Sequence, residues 1–359
     1  MLDHQESTQA AQSDTYSVIR TFRLPSAVSA LAFGHAGHLF VGGDDGTLRI
    51  YDLSKFKVIK AVRDLGDEVA SIVCVKRRGS ELRDAWVACG TTIMKFQLDN
   101  PKMILTPEDM QIYIDIGGKP HDLLNEIVLN SNKTHLAVST DLGTVAVVEL
   151  ETKNVMTMKV AHDSVCGCVQ FIPTKSKELV SGGYDHRLLH FDYTKGDLLS
   201  ERKIRTWVNP LGGMSLSPPF IMSMAMSPMG ILAAGTADGR LRLNFVGAPT
   251  GSSRKTKDSK PWNGLDERRE HIVKAAEGPI VAMAFFESET LTVSSLKGTI
   301  IQYKLVLEED GLVLDVLWQK QVTEVERVNA IIVDKTRIII GGIRADDSGA
   351  FEIWSTHIP

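Results

Sequence analysis

Four cysteines in 359 residues are too few for a disulfide framework. Cys166 and Cys168, the closest pair, stand two positions apart with a single residue between them, off the Cys-x₂₋₄-Cys spacing of zinc sites. The opening stretch MLDHQESTQAAQSD has no apolar centre of the kind a secretory signal needs. The longest greasy stretch, 220–235, is broken by Ser223, Ser227 and Pro228 and falls short of a bilayer span. Neither sign of charge prevails: 40 basic against 44 acidic residues leave a net −4, which argues against a general nucleic-acid binder. Enzyme signatures are missing too. No phosphate-cradling glycine loop opens a helix, and there is no His-Glu-x-x-His and no nucleophile elbow. No stretch sustains a helical period. The expectation is a protein of the cytosol or nucleus, with free thiols, no metal, no cofactor and no membrane anchor.

What the chain does contain is repetition. A short apolar strand, a gap, a second strand ending in Gly, Ser or Thr, a tight turn and a third strand recur seven times. The units are 28–53, 69–98, 123–150, 165–193, 221–246, 280–305 and 328–355. β-Branched and aromatic runs separated by turn residues read as strands, and a repeat of this length is the mark of a solenoid or propeller. A fourth strand follows the first six units, at 56–62, 110–116, 154–160, 198–204, 271–276 and 312–322. The seventh lacks one, whereas the segment 16–22 has no unit of its own. If that segment completes the last sheet, a ring closes.

Most third strands end on an aromatic, namely Tyr51, Phe96, Phe191, Tyr303 and Trp354, with Val148 and Asn244 as departures. This pattern over 16–355 resembles the WD-repeat family, although no unit carries the literal Trp-Asp pair. The resemblance implies an all-β, seven-bladed β-propeller closed by its N-terminal strand. The domain organisation expected is a disordered tail over 1–15 and a single propeller over 16–359, with a flexible insertion at 247–270 in the fifth blade. The resemblance also implies a buried hydrogen-bonded network in the fourth unit, formed by His162, Ser181 and Asp185. The same trio could be read as a nucleophile with its base and orienting acid. Asp45 and Asp238 occupy the equivalent turn elsewhere, which a unique active site does not predict, and Phe191 cannot donate the hydrogen bond of the family's Trp. The strand position of Cys166 and Cys168 places both thiols on one face, and His190 reads as a packing residue.

These readings favour a non-catalytic scaffold binding protein partners through its loops. The connection 205–220 carries an indole, prolines and little charge, which nominates Arg205 and Trp207, joined on the same rim by Tyr184, His186 and Arg344. Within the family, 124–143, 161–185 and 222–243 resemble a branch that implies a substrate receptor of a cullin-RING ubiquitin ligase. Such a receptor docks on the damaged-DNA-binding adaptor. The Arg that often follows the third strand in such receptors is absent at 51–54, 96–99 and 191–194. The alternative is a chromatin-associated reader of histone or other basic tails through Asp44, Asp141 and Asp238.

Overall fold

The computed structural model describes residues 16–34, 37–76, 83–116, 121–206, 217–245, 261–308 and 311–356. The tail 1–15, Trp207 and the part of the insertion up to residue 260 lie outside them. Among the described residues there is no α-helix, only two single 3-10 turns, Pro107–Asp109 and Glu267–Arg269.

Seven sheets, antiparallel except for one short edge pairing in blade one, form a closed β-propeller. Blade four shows the plan. Cys166–Phe171 is innermost, followed by Glu178–Gly183, Arg187–Asp192 and the outer strand Asp197–Lys203. Blade seven is assembled from both ends of the chain. Arg327–Val333, Arg337–Ile343 and Gly349–Ser355 are completed by Ser17–Leu24, which pairs antiparallel with Gly349–Ser355. Phe22 stacks on Phe351 with ring centroids 4.6 Å apart and meets the edge of Tyr51 at 5.2 Å. Tyr51 belongs to blade one, so the closing strand also fastens the two blades at the ring's seam. Every blade presents apolar side chains to both neighbours, and the hydrophobic clusters accordingly straddle blade boundaries.

Two features were not expected. Blade one has a fifth strand: Ile104–Leu105 runs back from the second unit to pair in parallel with Ala61 and Val62, and Leu105 is fully buried. Buried Lys60 anchors this excursion by donating to the carbonyls of Asn100 and Lys102. In addition, the innermost strand of every blade carries a bulge near its start. One added residue leaves the ladder and shifts the alternation of side chains. In blade four the bulge falls at Gly167, so the two thiols face opposite ways, a correction to the expectation of one shared face. Cys166 packs in the cluster shared with blade three, and Cys168 in the cluster shared with blade five. Burial pushes both thiols up, away from reactive thiolate.

At five of the seven blade junctions a polar side chain near the bulge clasps the next inner strand. Ser29 donates to the Val69 carbonyl, Ser71 to Ile127, Asn125 to Cys166, Ser223 to Ile280 and Asn329 to Val28. Blades three and four carry a second tie, because the Glu126 carboxyl accepts from the Val169 N–H at 2.7 Å and the Gln170 side-chain amide at 3.3 Å. Burial pushes this carboxyl up to about 8, against the pull of the Val169 hydrogen bond. The folded state therefore holds a proton that the unfolded chain releases near pH 4. Glu126 thus contributes fully below that pH, and its contribution is lost as pH rises toward 8. Glu126→Gln should flatten this slope and exceed the natural chain by about 2 kcal/mol in alkaline buffer, since each pKa unit is worth about 1.4 kcal/mol and residual solvent contact reduces the full shift. Urea unfolding at a series of pH values checks it.

Candidate functional site

The blade-four trio forms one hydrogen-bonded chain. His162 precedes the inner strand, Ser181 lies on the second strand and Asp185 sits in the turn after it. His162 Nδ1 is 2.9 Å from Asp185 Oδ1, and its Nε2 is 2.8 Å from Ser181 Oγ. In the neutral imidazole, Nδ1–H donates to the carboxylate and Nε2 accepts from the serine hydroxyl. Asp185 also accepts from the Asp163 N–H, the Arg187 N–H and Arg187 Nε. Burial alone would raise its pKa, but the bonds from His162 and Arg187 outweigh that and hold the carboxyl well below the usual range.

The order Ser–His–Asp is that of a hydrolase triad, yet the setting is not. Ser181 is 0% exposed and His162 4%, so no substrate can reach the hydroxyl from solvent. Phe191, fully buried, stands in the place of an indole donor. The arrangement can lock a turn and join two strands; it has no open face for chemistry.

Other blades fill the same need with other residues. In blade seven Trp354 Nε1 donates to Glu352, whose second oxygen accepts from Thr323 and the Glu324 N–H. In blade six Gln302 bridges Trp318 and Thr292. Blade four holds a further network that sequence reasoning missed. His190 is no mere packing residue, since its Nδ1 is 3.0 Å from Ser200 Oγ and its Nε2 is 2.9 Å from Glu178 Oε2. Glu178 Oε2 also accepts the Trp262 N–H, and the Trp262 ring sits edge-on to His190 at 5.4 Å. The insertion expected to be flexible over 247–270 is therefore fixed over 261–270. Trp262 and Leu265 are buried between blades four and five, with Trp262 Nε1 on the Gly230 carbonyl. The signal available was the lone Trp in a polar stretch, since burying an indole stabilises by a few kcal/mol.

Of the candidate rim residues, the structure brings three together. Phe220 stacks on Tyr184 at 5.5 Å and meets His186 at 5.1 Å. His186 has φ +65, in a turn where blades one, three, five and six place a left-handed glycine. At Gly143, for instance, a Cβ would lie 2.4 Å from the His162 carbonyl. A non-glycine residue there carries backbone strain, offset here by the ring contact. Arg205 and His186 line one cleft of about 550 Å³ together with Glu201, Arg202, Lys203, Ile204, Thr206, Leu265 and Glu267. Arg344 is apart from these. It belongs to blade seven and is held in its own turn by Asp346 at 2.7 Å and Ser348 at 2.8 Å.

The acidic rim also differs from expectation. Asp238 is buried, bound to Arg240 and Thr236, so it faces no partner. Asp44 and Asp141 instead converge with Asp67 on Glu68. Burial, and then repulsion from these three carboxylates, raises the Glu68 pKa.

The family model described as WD domain, G-beta repeat matches residues 16–52, the closing strand together with the first three strands of blade one. Over 229 residues the chain is 25% identical to a protein named WD repeat-containing protein 53 homolog, from Dictyostelium discoideum. That similarity covers 57% of this chain and 58% of the relative, so the match spans less than two thirds of that protein. The ring of seven blades is a β-propeller, and over the parts these comparisons match the chain is similar in sequence to WD-repeat proteins.

Proposed function

We propose that the protein is a non-catalytic scaffold for protein–protein interaction. The observation that carries this reading is the burial of Ser181 and His162. The one catalytic-looking arrangement nominated by the sequence is architecture, while side chains able to bind a partner gather on the rim. The finer form, a substrate receptor of a cullin-RING ligase on the damaged-DNA-binding adaptor, is supported only by resemblance. Affinity purification of the tagged chain with mass spectrometry tests it. Recovery of a cullin and its adaptor is the expected result, and partners without either would reject the ligase form.

A second reading has its own observation. The convergence of Asp44, Asp67 and Asp141 on Glu68 suits a lysine- or arginine-rich tail, because complementary charge speeds encounter and selects partners. A peptide array should then favour basic sequences, and Glu68→Lys should weaken that binding about tenfold, more at low salt than high. An array without preference for basic or modified tails removes this reading.

A further inference from the structure

The cleft between blades four and five contains an unbalanced charge. Arg202, on the outer strand of blade four, and Arg242, on the third strand of blade five, share one carboxylate oxygen. Both donate to Glu270 Oε2, Arg242 at 3.2 Å. All three side chains are at most 7% exposed. Two guanidiniums against one carboxylate leave one positive charge over. The bonding is as incomplete as the charge: Arg202 Nε and Nη1, Arg242 Nε and the second oxygen of the carboxylate, Glu270 Oε1, are buried without a hydrogen-bond partner. Buried charges are costly unless paired, and unclaimed N–H groups add to that cost.

Arg202 is among the residues lining the 550 Å³ cleft, as are exposed Lys203 and Arg205. Thr206 adds a hydroxyl, while Ile204 and Leu265 supply apolar lining. Of the two carboxylates present, Glu201 is drawn to Arg187 at 3.4 Å, which leaves Glu267 as the opposing charge. We infer that this cleft is a binding site for a phosphate group, carried on a side chain of a partner protein. The donors of Lys203, Arg205 and Thr206 outnumber what the two oxygens of a carboxylate can take. A phosphate monoester brings three acceptor oxygens and up to two negative charges, which pair with exposed Lys203 and Arg205 and offset the excess positive charge of buried Arg202. The inference deepens the scaffold reading by naming the chemistry of one of its contacts, and it depends on that reading only for the carrier.

Two arms test it on the full chain. In the first, thermal unfolding is followed in potassium phosphate and in potassium chloride of equal ionic strength, for the natural chain, Arg202→Met and Arg205→Ala. A ligand that binds only the folded state raises the melting temperature. The expected result is a phosphate-specific rise that both variants lose, with Arg202→Met at least as stable in chloride because Arg242 and Glu270 then balance. An equal rise in all three proteins would be general salting and would overturn the site. Arg205→Ala, on the surface, keeps the test valid should Arg202→Met fold poorly. In the second arm, labelled peptides carrying phosphoserine, glutamate or serine are titrated by fluorescence anisotropy. Phosphoserine peptide should bind, and bind Arg202→Met roughly 30-fold more weakly. Equal binding of the glutamate peptide overturns the preference for phosphate. A phosphate-specific rise in melting with no peptide binding overturns the protein carrier and leaves a site for free phosphate. The melting arm does not depend on any partner, so failure of the scaffold reading would not mimic failure of the site.

Discussion

Asp185→Ala is expected to cost about 3–5 kcal/mol of stability, the range for removing one member of a buried charged pair. The change orphans four donors at once: His162 Nδ1–H, Arg187 Nε, and the main-chain N–H groups of Asp163 and Arg187. It also frees the turn that positions His186 beside Phe220. Asp185→Asn, which keeps an acceptor but loses the charge, should fall between. Urea unfolding gives the magnitudes, and hydrogen exchange should show the loss of protection centred on blade four. Acid provides a second check. The folded pKa of Asp185 lies below its unfolded value, so its contribution is complete above about pH 4 and disappears as pH falls toward the folded value. The natural chain should lose stability across that acid range more steeply than Asp185→Ala.

Removal of residues 1–24 should have a larger effect still. Blade seven would keep three strands, and Gly349–Ser355 would become a free edge. Phe351 and Tyr51 would lose Phe22, and the ion pair between Arg23 and Glu324 would go. The loss should exceed the net stability of an ordinary domain, about 5–15 kcal/mol. Circular dichroism should show no cooperative transition, and light scattering should show association through the exposed edge. A peptide spanning 16–25 added in trans should restore a measurable part of the folded signal. The single change Phe22→Ala should cost about 3 kcal/mol. A truncated chain that stayed monomeric and melted like the natural one would mean that the seam is not where the ring is held.

Both results bear on how much the residues disclosed in advance. The seven sheets were legible because turn glycines such as Gly46, Gly143 and Gly239 punctuate alternating apolar runs, and the spare strand at 16–22 pointed to the manner of closure. The chain of His162, Ser181 and Asp185 was legible because the resemblance to the WD-repeat pattern assigns those residue types to those places in the fourth unit. The networks of His190 and Glu352 were not. Glu178 and Ser200 flank His190 across two strands, and Glu352 serves Trp354 from the same strand, so neither arrangement follows the spacing of the repeat. The bulge at Gly167 was hidden for a related reason: one added residue changes which face a thiol takes without changing composition. Trp262 illustrates the opposite failure. Its polar neighbours set the reading of the whole segment, whereas the energetics are governed by the single indole.

The closing strand has a consequence for biogenesis. Arg23 and Glu324 stand 301 positions apart, so the ribosome releases one strand of blade seven long before the other three exist. Throughout that interval the early segment has no partner, and six neighbouring sheets must stack as an open arc. Long-range pairings of this kind form late and leave sticky intermediates. Newly made chains should therefore lean on chaperones until Gly349–Ser355 emerges and the seam zips shut.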